Sequence, residues 1–224
     1  MILKLLEELG VNLATPCTLA IFGPSQVGKS LMALRLASEV NNGVVYAIEP
    51  QYQNPDFYKL ATSVIQGRDV RIERAWSIRG LIRKLKSIDS ASVIVVDSIS
   101  ALIDYEASRL IEKLGVEDVS FLASRLNPLS RIVAQTLNIT CNRLNSIGVL
   151  IVHATSTAGR GLYRNLIPYR PSFASRCEHY LTYELFVNFT NDRGKRVIQV
   201  VTSRPNHSII GKRLEFSLSE VIKQ

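Results

Sequence analysis

Eight residues constrain this chain more than any others. Gly23-Pro24-Ser25-Gln26-Val27-Gly28-Lys29-Ser30 fits the pattern G-x-x-x-x-G-K-[ST] at every fixed position. The flanks suit it. Thr18-Leu19-Ala20-Ile21-Phe22 reads as a buried strand leading in, and Leu31, Leu34, Leu36 and Val40 as a helix leading out. Such a turn wraps its backbone N–H groups around phosphate oxygens, and the helix adds the positive end of its dipole. Lys29 would then reach the β- and γ-phosphates, and the Ser30 hydroxyl would ligate Mg2+. A tight strand-to-helix turn without a ligand is the plain alternative, but it leaves so many motif constraints met together without a reason. The turn therefore predicts binding of a nucleoside triphosphate with Mg2+.

A site of this kind needs a second half, a buried strand that ends in a carboxylate. Ser92-Val93-Ile94-Val95-Val96-Asp97-Ser98 supplies it. Four β-branched residues in a row suit a parallel strand covered on both faces. Asp97 falls at its carboxyl end, where open α/β sheets place their ligands. A carboxylate there holds Mg2+, directly or through water. Alone, a strand ending in Asp says little; paired with the upstream turn, it says much.

Composition bounds the rest. With 224 residues, 46% of them hydrophobic, the chain can bury a full core as one α/β domain over 1–224, residues 1–15 giving a short helix and lead-in. No apolar stretch is long and charge-free enough to span a bilayer. Glu7 and Glu8 inside the first apolar pattern mark an amphipathic helix and not a signal peptide. Cys17, Cys141 and Cys177 are odd in number and widely spaced, so they form no zinc pattern or disulfide framework, and a cytoplasmic location is expected.

The net charge is +8 and unevenly placed. Between Gly159 and Arg213, ten basic residues face three acidic ones. A second cluster is Arg68, Arg71, Arg74, Arg79, Arg83, Lys84 and Lys86. Fields of this kind attract polyanions, although any single arginine of the set is adequately explained as solvated surface.

Along the chain, βα alternation comes first and antiparallel strands follow. Gly43 to Ile48 reads as a strand ending at Glu49, Asp56 to Ala61 as a short helix and Val70 to Arg74 as a partly exposed strand. Ser77 to Ile88 has helical spacing, Phe121 to Asn145 suggests a long helix or two, and Gly148 to Val152 is another buried strand. His179–Phe189 and Lys195–Thr202 flank the turn signal Asn191-Asp192-Arg193-Gly194, and Lys212 to Leu218 forms a last strand. The expected architecture is a mainly parallel central sheet flanked by helices, with an antiparallel carboxyl-terminal hairpin.

From about Pro16 onward the sequence resembles the RecA-like recombinase ATPases, nearest the archaeal RadA group and its shorter paralogs. The more specific residues are Arg193-Gly194-Lys195-Arg196-Val197, Ser203-Arg204-Pro205 and Leu214-Glu215-Phe216-Ser217-Leu218. They are similar to the family's Gly-Lys-Arg strand, its proline-containing loop over the nucleotide and its closing strand. By that resemblance the nucleotide is ATP, and Pro205 lies beside it. Glu49 matches the glutamate that orients the attacking water, a role that requires hydrogen-bond reach of a water beyond the γ-phosphate. An exposed strand-end glutamate is the alternative.

The segment Thr155 to Pro171 is long, basic and contains tyrosines, in a position similar to the second DNA-binding loop of the recombinases. Arg160, Arg164 and Arg170 would contact phosphates, and Tyr163 or Tyr169 would stack on bases of single-stranded DNA. A mobile loop over nucleotide and a partner-docking loop are the other readings. A first DNA loop would fall between Asp104 and Val119, where Glu106, Glu112, Glu117 and Asp118 are unexpectedly acidic.

The chain also departs from the family. His153 and Ala154 stand where recombinases carry an Asn-Gln pair whose glutamine senses the γ-phosphate, so His153 is either a substitute sensor or a core histidine. Gln53 or Asn54 stands near the place of the adenine-stacking arginine. The first residues supply a short helix in place of a DNA-binding domain and a Phe-x-x-Ala docking segment, so strand exchange by this chain alone is not expected. The expectation is a slow, DNA-stimulated ATPase that assists recombinational repair, with the main recombinase or another repair protein as a partner. An ATP-switched adaptor is the alternative, and a small-metabolite phosphoryl transferase ranks last.

Overall fold

The structure is a computed structural model, and it describes residues 1–13, 16–48, 50–115, 119–156, 169–171, 177–192 and 194–222. Strands β1 (Cys17–Gly23), β2 (Gly43–Ala47), β3 (Val70–Arg74), β4 (Val93–Asp97) and β5 (Ile147–Ser156) form the parallel part of one sheet. They alternate with helices α2 (Lys29–Val40), α3 (Pro55–Ile65), α4 (Ile78–Lys86), α5 (Ile99–Leu114) and α6 (Val119–Leu144), after an initial α1 (Ile2–Glu8). β6 (Tyr169–Pro171), β7 (Tyr183–Phe189), β8 (Lys195–Ser203), β9 (Arg213–Ser217) and a terminal helix α7 (Leu218–Ile222) complete the order. Across the sheet the strands run β3-β2-β4-β5-β1-β7-β8-β9, and β6 pairs with β5 off this path. β7 is parallel to β1, and β8 and β9 follow antiparallel, so the expected mainly parallel sheet with an antiparallel ending is the one found.

Period-two alternation sorts the core into two layers. Leu19, Ile21, Val93 and Val95 face the layer of α1, α2 and α3, while Ala20, Phe22, Ile94 and Val96 face that of α4, α5 and α6. Covering both faces is why β1 and β4 read as unbroken apolar runs. β3 lies at the sheet margin, and its residues are only partly buried or exposed. It carries Arg71 and Arg74 of the second basic cluster, and α4 carries Arg79, Arg83, Lys84 and Lys86. Lys84 is spent on Glu73 at 2.7 Å.

Helix ends follow local chemistry. Asn54 caps α3 by accepting the Asp56 and Phe57 N–H groups, Ser77 caps α4 and Ser98 caps α5. All three cysteines are free and buried, and burial pushes the Cys17 and Cys141 thiols up to about 12. That keeps them protonated and inert, as a structural role requires.

One expectation is corrected here. Asp104 to Leu114, foreseen as part of a first DNA loop, is the body of α5, which Gly115 closes in a left-handed conformation. Leu102 and Ile103 are buried, and Ala107 and Leu110 pack on the same layer, which is helical spacing; Asp104 and Glu112 are turned outward, while Glu106 is partly buried and accepts the Ile78 N–H. The rest of that segment, 116–118, lies outside the described residues, and α6 runs as one helix through Pro128.

Candidate nucleotide site

The strand order places the site. β4, β5 and β1 are neighbours, so their carboxyl ends set Asp97, His153 and the Gly23–Ser30 turn side by side. Gly23 itself is level with His153. An open parallel sheet binds ligands outside these ends, because loops there diverge and helix amino termini point in.

The turn is built as its sequence demands. Gly28 has φ +98°, a left-handed value that disfavours any side chain, and a Cβ there would meet Leu218 Cδ1 at 2.6 Å. Val27 is fully buried and anchors the turn to the core, whereas Ser25 and Gln26 are exposed and Pro24 is half-buried. Lys29 and Ser30, in the first turn of α2, are both buried. A buried ammonium must find acceptors, and Lys29 Nζ donates to Gly23 O at 3.0 Å and Pro24 O at 2.7 Å.

Opposite the turn, Asp97 is wholly buried at the end of β4. Its carboxylate Oδ2 accepts the Tyr52 hydroxyl at 2.8 Å, and the Asp97–Ser98 peptide is cis. Gln51 Nε2 donates to Ser30 Oγ at 2.7 Å. Gln51 and Tyr52 belong to a 3-10 turn, Pro50–Gln53, between β2 and α3. The Tyr52 ring packs edge-on against Phe57, with centroids 5.1 Å apart. His153 donates its backbone N–H to Ser100 Oγ at 2.9 Å.

These groups enclose an open cavity of about 320 Å3, lined by Ser25, Gln26, Gly28, Lys29, Ser30, Leu31, Gln51, Phe57, Asp97, Ile151, His153 and Leu218. The turn, Asp97 and His153 are thus brought together. Pro205 is not. β8 runs antiparallel to β7 and carries the chain to the opposite edge of the sheet, where Arg204 N–H bonds Thr182 O and Thr182 N–H bonds Thr18 O. β9 returns to the cavity edge, so Leu218, at the head of α7, stands against Gly28 where a proline was expected. Glu49 lies outside the described residues. Gln51, Tyr52 and Phe57 have no motif to announce them, closeness to Glu49 being the only sequence signal for the first two; Leu218 reads in the sequence only as the end of the closing strand.

The donor set suits Mg2+. Hard oxygen ligands, one hydroxyl and one carboxylate, are what this ion takes from a protein when phosphates and water supply the rest. Consistent with that division, no cluster of three or more His, Cys, Asp or Glu among the described residues would form an all-protein cage.

The basic segment leaves from the same edge. Ala154, Thr155 and Ser156 pair antiparallel with Pro171, Arg170 and Tyr169, so β5 and β6 form a ribbon at the carboxyl end of β5. Arg160, Tyr163 and Arg164 lie outside the described residues, as do the side chains of Tyr169 and Arg170.

No family model matches the sequence, and no curated protein matches it either. Solved structures do. A crystal structure of the RadB recombinase superposes with a TM-score of 0.64 at 17% identity, over 95% of this chain and 92% of that one. The likeness shows that the two chains share a fold, and at that identity it carries the architecture alone. Among the described residues, no helix is long and apolar enough to cross a membrane.

Proposed function

We propose that the chain is a RecA-fold ATPase of the recombinase-paralog type, dependent on Mg2+, that binds single-stranded DNA and assists or regulates recombinational repair. The observation that carries this reading is the shared cavity of Lys29, Ser30, Asp97 and His153 at the carboxyl ends of three adjacent strands. Backbone N–H groups of Gly23 to Ser30 cradle the phosphate chain, together with the amino terminus of α2. Lys29 exchanges its bonds to Gly23 O and Pro24 O for β- and γ-phosphate oxygens. Ser30 and Asp97 hold Mg2+, which when bound neutralises charge on those phosphates. Glu49 orients the attacking water and takes its proton as the new O–P bond forms and the β,γ-bridge bond breaks. In this reading His153 responds to the γ-phosphate; its register with Gly23 and its place in the cavity lining support that role.

The DNA part of the reading rests on the charge of the 155–171 segment and on the β5–β6 ribbon, which launches that segment beside the nucleotide cavity. Arg160, Arg164 and Arg170 supply phosphate contacts, and Tyr163 and Tyr169 stack on bases. Changing Arg160→Ala with Arg164→Ala tests it by titrating labelled single-stranded DNA at several salt concentrations. The double variant is expected to bind more weakly, with the slope of log K against log salt flatter by about 1.4, or about 0.7 for each lost phosphate contact. Unchanged affinity and slope would remove the segment from the DNA interface.

A second reading, an ATP-switched adaptor for a recombinase or another repair protein, draws on Ala154, which stands on β5 beside His153 where the family's glutamine belongs. Hydrolysis that ignores DNA separates it from the first.

A further inference from the structure

Two hydrogen bonds in the cavity have no part in the reaction above. Gln51 Nε2 reaches Ser30 Oγ, and the Tyr52 hydroxyl reaches Asp97 Oδ2. Their acceptors are the two groups assigned to the metal, and they come from different elements, the first turn of α2 and the end of β4. Their donors are adjacent residues of one short turn, Pro50–Gln53, which directly follows Glu49 in the chain. Tyr52 is buried and its ring is fixed against Phe57, so the turn is tied at both ends of the prospective metal site.

We propose that the Pro50–Gln53 turn is a latch over the metal site, released when Mg2+ arrives with the nucleotide. The inference rests on the assignment of Ser30 and Asp97 as metal ligands. An amide hydrogen directed at the Ser30 oxygen carries partial positive charge and occupies one of its lone pairs. Mg2+ demands near-octahedral geometry and short ligand distances, about 2.0–2.1 Å, so a donor 2.7 Å from the same oxygen competes with it for that oxygen's lone pairs. The positive end of the amide dipole also repels the ion, so Gln51 is driven off as the metal binds. Tyr52 draws on the charge of the other ligand, the Asp97 carboxylate, through Oδ2 and sits on the same turn, so the two bonds are given up together. The turn that follows Glu49 in the chain thus takes a different set of restraints with metal than without it. Nucleotide alone, lacking the ion, leaves the latch in place.

Contacts present only in the empty state lower the apparent affinity for whatever breaks them. Removing them must therefore tighten binding, and only where metal is required. A net hydrogen bond of this kind corresponds to about a two- to ten-fold change in affinity. Calorimetric titration of the full chain with a non-hydrolysable ATP analogue, in Mg2+ and in EDTA, reads this directly. Gln51→Ala is expected to bind two- to ten-fold more tightly in Mg2+ and to match wild type in EDTA. Tyr52→Phe, which keeps the ring against Phe57, is expected to shift the same way. As parts of one latch, the two changes together should gain little beyond the larger single effect. Amide exchange over 50–57 should quicken in wild type on adding Mg2+ with the analogue, and be fast already in the variants.

Weaker Mg2+-dependent binding by Gln51→Ala would make Gln51 a contact to the ligand and overturn the latch. Unchanged binding, or an equal gain in EDTA, would overturn it too. If wild type itself bound no Mg2+–analogue, the metal-site assignment beneath the proposal would fail with it.

Discussion

A Lys29→Ala variant should lose about ten- to a hundred-fold in ATP affinity, the value of a hydrogen bond to a charged group at about 1.5–3 kcal/mol. Its hydrolysis should fall to background. The argument is one of geometry and charge. Lys29 is buried in the first turn of α2, lines the cavity, and holds its ammonium on Gly23 O and Pro24 O at the mouth of the turn. Among the described residues no other lysine or arginine lines that cavity, so Lys29 is the one side-chain cation they bring to the phosphate chain. The ammonium also braces the two carbonyls, and the variant's thermal midpoint must accompany the binding data. A folded variant that still bound ATP as wild type does would remove Lys29 from the phosphate site.

Gly23→Ala should be the most damaging small change in the sheet. A Cβ at Gly23 would stand 2.0 Å from the Val187 backbone oxygen on β7, with Val27 Cγ1 at 3.4 Å on another side. A side chain can rotate away from a methyl group, but a strand carbonyl cannot without moving the ladder between β1 and β7. Overpacking typically costs about 1–3 kcal/mol, and a rigid obstacle puts this case at the upper end. For a chain of this size that is roughly a 6–12 °C fall in thermal midpoint. Nucleotide binding should weaken as well, because Gly23 O is one of the two acceptors of Lys29. Differential scanning calorimetry decides it. An unchanged midpoint would mean that β7 does not approach the end of β1 as closely as the structure has it. The first glycine of the motif therefore serves strand packing here, while Gly28 serves backbone conformation.

How much of this was legible beforehand follows from where the signal comes from. β1 and β4 were plain, because burial on both faces leaves a near-continuous apolar run, β-branched in β4 and ended there by Asp97. β3 and α4 were plain for the opposite reason: half-exposed elements show their period, two for Val70–Arg74 and near 3.6 for Ile78–Lys86. α5 was missed although its apolar spacing is helical, because family resemblance placed a loop there and outweighed the periodicity. Pro205 was misplaced because local sequence does not say which edge of a sheet a loop returns to. That depends on β7 and β8 being antiparallel, after which Leu218 takes the position by the turn. Gln51 and Tyr52 were invisible for a different reason. Neither is a motif residue, and their significance lies in partners 21 and 45 positions away in the chain. Contacts of that range are products of the fold.

The proposed DNA interface and the nucleotide cavity meet on β5. His153 lines the cavity, and Ala154 begins the pairing with β6. A change at the γ-phosphate therefore has one residue to cross before it reaches the ribbon that carries the basic segment, which gives coupling a physical path to be tested. The direct test is steady-state ATP hydrolysis by wild type beside Glu49→Gln, each with and without single-stranded DNA. The account predicts wild-type hydrolysis that is slow, rises when DNA is added, and is lost in Glu49→Gln while ATP binding is kept. A wild-type rate equal to that of Glu49→Gln, or one indifferent to DNA, would contradict it.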